Sequence, residues 1–442
     1  MKSFSYGQIW KIAYPVLFSV LMEQLVGMTD TAFLGRVGEV ELGASALGGI
    51  FYIAVFVLGL GLGTGAQILM GRRNGSGNYL EVGNVFYHSL LLLVLVAFIL
   101  FGFIQLFAPI MLQQIISSPD VFLAANEYLT WRVYGFFFAY VAIMFRAFYV
   151  ATTQTKTLTL NSILMVTSNI IFNYVLIFGK LGFPECGIAG AAIGSVMAEG
   201  VSMIFFIFYT RYRLDYKKYG LNQRPHFRHH FLRKILGVSI WTMVQNFLSL
   251  ATWFLFFLAV EHLGERELAV SNIIRNISSF FYMTISALAA TASTLVSNLM
   301  GQNEMDAVLP MIKKTIALGF YILIPLGVLV CIFPGWVIAI YTDEPVLMTL
   351  GVAPLYVLVA SYVFTIPQRI LLSSVLGTGN TRAALWIEFF ALVVYTIYIY
   401  IVIFQFKSSL AVCWTCEFVY GVPSMILAWV YLRNNSWRNK VI

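Results

Sequence analysis

The chain is predicted to be an all-α integral membrane protein of twelve transmembrane helices in two pseudo-symmetric six-helix bundles. Three observations predict this. Of its 442 residues, 60% are hydrophobic and only 10% charged, against an apolar share of about 45–50% for a soluble globular domain. Its apolar runs reach the roughly 20 residues that a helix needs to cross hydrocarbon. Motif pairs also recur between the two halves at a nearly fixed spacing.

The spans fall at 8–35, 44–71, 83–110, 124–149, 159–182, 188–213, 234–262, 268–300, 308–335, 347–377, 383–406 and 409–432. The first is full length and runs straight on, so it reads as a retained helix rather than a cleaved leader. An even count puts both termini on one side. With the amino terminus inside, nineteen Lys and Arg lie in inner segments, Lys2, Arg72, Arg224 and Lys440 among them, and four in outer loops, Arg36, Lys180, Arg266 and Lys407. That bias predicts a bacterial inner (plasma) membrane protein with cytoplasmic termini. The net charge of +8 therefore reports topology and implies no nucleic-acid partner; the lipid bilayer is the expected partner.

The longest polar stretch, Leu214 to Lys234, follows the sixth span. It predicts an amino-terminal bundle over 1–213, a cytoplasmic linker over 214–233 and a carboxy-terminal bundle over 234–442. Gly38-Glu39-Val40-Glu41-Leu42-Gly43 matches Gly264-Glu265-Arg266-Glu267-Leu268-Ala269 at an offset of 226, and Met70-Gly71 matches Met300-Gly301 at 230. Arg146 with Thr157 answers Arg369 with Thr381, and Glu199 answers Glu417. A six-span unit used twice keeps one orientation, and parallel halves with a cleft between them are the arrangement of rocking, alternating-access transporters.

The four cysteines lie in or beside apolar segments, and Cys413-x-x-Cys416 has no flanking His. They read as small packing residues, because redox and zinc pairs need polar, accessible surroundings. Gly59 to Gly65, GLGLGTG, imitates a dinucleotide loop but lies inside a span with no preceding strand, so close helix packing is expected instead. No Walker sequence is present, which argues against ATP hydrolysis as the energy source.

Charged side chains at membrane depth cost about 2.5 kcal/mol or more, so by default they face a bundle interior or a watery cavity and serve an ion or substrate path. Span 1 carries Glu23 and Asp30, seven apart and so on one helix face; span 5 carries Asn169 and Asn173, four apart. A carboxylate with amide oxygens in a partly dehydrated pocket can hold a proton, because burial disfavours the charged form. The same oxygens can hold Na+, or the asparagines can simply hydrogen-bond between helices. Pro15 interrupts the backbone ladder of span 1, and Glu23 is a further candidate for cation coupling whose role is open.

Asp30 within MTDTAFLGRVGEVELGASAL, NIIFNYVLIFG at Asn169 to Gly179, GIAGAAIGS at Gly187 to Ser195, LMGQN in span 8 and LGTGNTR at Leu376 to Arg382 together resemble the multidrug and toxic compound extrusion (MATE) family, over essentially the whole chain. The resemblance implies two bundles in a V and efflux of organic, often cationic, amphipathic compounds in exchange for H+ or Na+, with no other cofactor and no enzymatic activity. It puts the cation-linked aspartate at Asp30, the span-5 polar pair at Asn169 and Asn173, and a span-6 neighbour at Ser195. No metal is implied beyond Na+ at Asp30, Asn169 and Asn173. In some relatives a proline like Pro15 is tied to bending of the first helix.

The chain departs from the NorM-like branch, whose span-7 glutamate and span-10 aspartate are replaced by stretches with Gln245, Asn246, Thr365 and Gln368 and no acid. Coupling is thus expected to rest on the amino-terminal half. Glu23 stands where the family usually has an uncharged polar residue, and Arg275 where it has an aliphatic one. Arg275 and Arg369 either neutralise acids or line the cavity, which would admit anionic or zwitterionic substrates. Tyr52, Tyr282, Met283, Gln245, Tyr362 and Gln368 are the other candidates for the cavity wall, since adaptable aromatic and Met side chains suit promiscuous binding. A lipid-linked oligosaccharide flippase of the same superfamily is the rival reading, and a membrane transferase a second. The protein is expected to act as a monomer on small organic substrates.

Overall fold

Helices follow the apolar runs because a segment in hydrocarbon must satisfy its backbone internally. The computed structural model describes residues 4–222, 228–435 and 437–438; Lys2, Arg224 and Lys440 of the inner basic set lie outside the described residues. The helices are α1 (Tyr6–Leu34), α2 (Glu39–Gly75), α3 (Tyr79–Ile115), α4 (Pro119–Arg132), α5 (Gly135–Ala151), α6 (Lys156–Ile177), α7 (Gly187–Arg213), α8 (His229–Glu261), α9 (Glu265–Gly301), α10 (Val308–Ile332), α11 (Pro334–Ala339), α12 (Pro345–Gly377), α13 (Thr381–Ile399), α14 (Leu410–Trp414) and α15 (Cys416–Arg433). Among the described residues eleven segments are long and apolar enough to cross a bilayer, or twelve if the bent pair α4 and α5 is one span. The twelve predicted spans correspond to these.

The repeat is visible in the elements themselves. α2 and α9 both have 37 residues and start just after Gly38 and Gly264. At each start a glutamate three residues on folds back against the glycine, Glu41 on Gly38 and Glu267 on Gly264, where a Cβ would collide with its carboxylate.

By contacts the chain forms two compact units, one of Phe18–Met243 and one of Met1–Leu17 with Val244–Ile442. These bounds differ from the predicted 1–213, 214–233 and 234–442. The prediction followed loop polarity, whereas α1 and α8 are each shared between the units. Ile9 and Ala13, early in α1, join the core of the carboxy-terminal unit, and the first half of α8 packs in the amino-terminal one. Nor is the stretch after α7 a free linker. Tyr219 is buried and its hydroxyl accepts from Gln154 Nε2 at 3.2 Å, Tyr87 donates to the Leu221 carbonyl at 2.5 Å, and Arg228 N donates to His88 Nε2 at 3.1 Å.

In the amino-terminal unit the glycines of GLGLGTG let helices approach closely. A Cβ on Gly61 would stand 2.5 Å from Met243 Cα, one on Gly59 would enter the Tyr140 ring, and one on Gly65 would strike Ser239. The Gly61 carbonyl then accepts from Thr242 Oγ1 at 2.7 Å. In the carboxy-terminal unit α9 packs against α12, with Leu288, Ala292, Ile366 and Ile370 in a common core. Cys413 and Cys416 are free and buried there as packing residues.

Two breaks were not predicted. α4 and α5 bend by 50° at Val133–Tyr134, where Gly135 admits the Arg132 guanidinium and the Glu199 carboxylate to within a space that any Cβ would occupy. Pro334 ends α10 at Ile332 and starts α11, because proline offers no donor to continue a helix. The close contact of α2 and α8 makes a clear expectation: Gly61→Leu costs roughly 1–3 kcal/mol of overpacking and lowers the apparent melting temperature of the purified protein. Gly43→Leu, where a Cβ would meet nothing within 4 Å, leaves it unchanged.

Candidate functional site

The carboxylate of Asp30 on α1 is met by side chains from α6 and α7. Asn173 Nδ2 donates to Asp30 Oδ1 at 2.5 Å and Ser195 Oγ donates to Asp30 Oδ2 at 3.1 Å. Asn173 Nδ2 also reaches Asn169 Oδ1 at 3.3 Å, and Asn169 Nδ2 donates to Ser195 Oγ at 3.1 Å. The four side chains thus close a ring. Sequence spacing supplied the pair on one face of α6. The ring needs close packing of α6 and α7, and GIAGAAIGS provides it: a Cβ on Gly190 would enter the Leu176 carbonyl, and one on Gly194 the Asn173 side chain.

Asn169 and Asn173 are fully buried, and Asn173 Oδ1 has no hydrogen-bond partner. A buried amide oxygen left unmatched costs about 1–3 kcal/mol, so its place beside a carboxylate favours a bound cation or an acidic proton. The donor set is oxygen and amide only, the kind that suits H+ or Na+. Among the described residues no cluster of three or more His, Cys, Asp or Glu is placed to hold a metal ion.

Glu23 is not in this ring. It pairs with Arg146 of α5, and both side chains are partly exposed, 47% and 29%. A second intramembrane pair was missed from sequence. Arg132 at the end of α4 makes a bidentate pair with Glu199 of α7, Nη1 to Oε2 at 3.1 Å and Nη2 to Oε1 at 2.6 Å, with each side chain 13% exposed. Tyr52, a predicted cavity residue, is instead buried beneath it. Its ring lies 4.1 Å from the Arg132 guanidinium and stacks on Phe136 at 4.8 Å.

The carboxy-terminal unit holds an acid that the sequence reading did not bring to its site. Glu388 of α13 is fully buried and accepts from Gln245 Nε2 at 2.9 Å, from Tyr420 Oη at 3.0 Å and from Ser249 Oγ. Arg369 lies over the rings of Tyr282 and Tyr420 at 5.3 and 5.7 Å. Arg275 lies against Trp253 and Phe257. Neither arginine is in an ion pair among the described residues.

Of the remaining cavity candidates, Met283 is buried, Gln368 is fully buried and donates to Ser424 at 3.0 Å, and Tyr362 is buried and donates to Ser278 Oγ at 2.9 Å. Tyr282 is exposed. Residue type and depth do not tell an inward-facing side chain from one that lines open space, which is why these residues scattered.

The MatE family profile matches the chain twice, at residues 15–175 and 242–401. A probable multidrug resistance protein NorM of Thermotoga maritima is 24% identical over 387 residues, spanning 87% of this chain and 82% of the relative. A solved outward-facing multidrug resistance MATE family transporter of the MOP superfamily superposes with a TM-score of 0.88 at 19% identity, over 99% of this chain and 97% of that one. A MOP superfamily transporter from Pyrococcus furiosus, described as having a binding pocket of reverse polarity that suggests a different function, superposes with a TM-score of 0.87 at 18% identity over 99% and 97%. At these identities the likeness to solved structures establishes the fold.

The Arg132–Glu199 pair yields a prediction of its own. Removing one partner strands a buried charge and costs about 3–5 kcal/mol, whereas replacing both by apolar residues is near neutral. Arg132→Met and Glu199→Leu are each expected to destabilise the protein strongly in denaturant titrations, and the double variant to recover most of the loss.

Proposed function

This chain belongs to the MatE family of membrane transporters, and from that premise we propose that it is a secondary antiporter. It exports amphipathic organic compounds, multidrug-efflux fashion, in exchange for inward H+ or Na+. The observation that carries the reading is the closed ring of Asp30, Asn169, Asn173 and Ser195 with its unpartnered Asn173 oxygen.

The ring suggests how one cation can be exchanged for another state of the site. With Asp30 ionised, amide and hydroxyl N–H and O–H groups point at the carboxylate. With Asp30 protonated, its O–H becomes a donor, and an amide turned by 180° presents the free Asn173 oxygen to it. Na+ would draw on the same carboxylate and amide oxygens and on Ser195 Oγ. Either cation removes the net negative charge of the ring and so changes how firmly α1 is tied to α6 and α7.

Pro15 is the natural place for α1 to respond. The helix runs through it, but proline removes one backbone hydrogen bond and crowds the carbonyl four residues before it. The division between the two compact units falls in α1 two residues later, after Leu17. Neutralising Asp30 lets α1 bend at Pro15 and so alternates access. The protein works in the plasma membrane as a monomer with both termini cytoplasmic, in keeping with the basic residues of the inner loops.

The test is transport by purified protein in vesicles with an imposed ΔpH or sodium gradient and a fluorescent efflux substrate. Asp30→Asn is expected to abolish gradient-driven transport, and wild-type rates in this variant would sink the reading. Asn173→Ala, which deletes the amide oxygen offered to a bound cation, is expected to weaken apparent sodium affinity by about tenfold. Absence of gradient-dependent export of any compound, with movement of polyprenyl-linked sugars instead, would favour the flippase.

A further inference from the structure

The two intramembrane ion pairs of the amino-terminal unit are built differently. Arg132–Glu199 is bidentate and enclosed, each side chain 13% exposed. Glu23–Arg146 has one N–O contact, with side chains 47% and 29% exposed. The second carboxylate oxygen of Glu23, and Nη2 and Nε of Arg146, make no hydrogen bond among the described residues. The pair is closed on one side and open on the other.

Glu23 lies near the middle of the 29-residue α1. A charge half exposed to hydrocarbon at that depth would cost several kcal/mol, so the open side of the pair faces water. The open surface continues along α1. Gly27, one turn beyond Glu23 and one turn before Asp30 on the same helix face, is exposed and has no atom within 4 Å of the place a Cβ would take. At 1.5 Å per residue the pair and Asp30 stand about 10 Å apart along the helix, the length of a small drug-like molecule.

An ion pair carries no net charge but strong opposite poles. A monocation attracted by Glu23 is repelled by Arg146, and a monoanion meets the reverse. A ligand with both an ammonium and a carboxylate exchanges the single internal contact for two charge-assisted bonds and leaves neither protein charge unpaired. Its apolar body then lies over Gly27.

We propose that Glu23 and Arg146 read the charge of the substrate, and that they select zwitterionic amphipathic compounds over singly charged analogues. This rests on the efflux reading above and assigns Glu23 to substrate recognition instead of to cation coupling. All of the residues concerned belong to the amino-terminal unit.

The probes are Nα-dansyl-lysine, a zwitterion, its methyl ester, a cation, and its Nε-acetyl derivative, an anion. Binding to the full-length purified protein is read by dansyl fluorescence without any gradient. The zwitterion is expected to bind about tenfold or more tightly than either analogue, the worth of one charge-assisted hydrogen bond. Glu23→Gln should erase the preference over the anion, and Arg146→Gln the preference over the cation. The exchanged pair E23R/R146E, which keeps an ion pair and guards against loss of folding, should retain preference for the zwitterion. Equal binding of the ester to the wild type, an unchanged ranking in Glu23→Gln, or no binding of any probe would overturn the proposal. Because no gradient is used, failed coupling at Asp30 would leave the ranking intact. Failed ranking would in turn leave Asp30-dependent export intact.

Discussion

The carboxylate of Asp30 cannot stay at membrane depth unless donors surround it, and the packing of α1, α6 and α7 is arranged around that requirement. Ser195 and Asn173 donate to it while Asn169 joins the two. The small residues of α7 exist for the same reason: Gly190 and Gly194 bring α7 against the α6 backbone, and without that approach Ser195 would not reach α1. Helix packing and the polar ring are therefore one device. In hydrocarbon there is no solvent to take up an unmatched group, so the Asn173 oxygen left over from the ring is a cost carried beside the carboxylate itself.

Three charged arrangements in the amino-terminal unit differ by enclosure, and enclosure separates their roles. Arg132–Glu199 is bidentate, lies over the face of Tyr52 and is accommodated by Gly135 at the bend between α4 and α5. With both of its hydrogen bonds made inside the unit and little surface open, it is suited to holding the bend. Glu23–Arg146 keeps bonding capacity free on its open side. Asp30 lies between these extremes, met by two donors and next to one unmatched acceptor. A side chain that is fully satisfied by fixed partners stabilises, and one that is partly satisfied remains available.

The spans and the duplication were legible in the sequence because both are local signals: apolar run length, and Gly-Glu-x-Glu-Leu at the start of two 37-residue helices. Asp30, Asn169 and Asn173 were legible as faces of single helices, from spacings of seven and four. What joins helices was not. Arg132 and Glu199 are 67 residues apart, and Glu388 is 143 from Gln245; which faces meet depends on rotational phases that hydropathy does not encode. The bend at Val133–Tyr134 carries no proline, and its glycine reads as an ordinary small residue until the guanidinium beside it is seen. The sharing of α1 and α8 between units was hidden because a continuous helix gives no sign of changing neighbours.

The expected restriction of coupling to the amino-terminal half deserves a different argument from the one that sequence offered. It was inferred from missing acids, yet Glu388 supplies one from α13. What differs is how that acid is met. Three neutral donors, from Gln245, Ser249 and Tyr420, meet it, and the guanidinium of Arg369 lies over the ring of Tyr420, one of those donors. Gln245 and Gln368 do leave amide oxygens unpartnered there, but Arg369 also leaves its Nε–H unpartnered, so a resident positive charge already answers the local excess of oxygen. An incoming cation would have to compete with an arginine that cannot leave or lose its proton. Beside Asp30 the unmatched atom is an oxygen in a ring that contains no cation of its own. The two halves share a backbone plan but differ in how the buried acid is met, Asp30 by one amide and one hydroxyl and Glu388 by donors from Gln245, Ser249 and Tyr420.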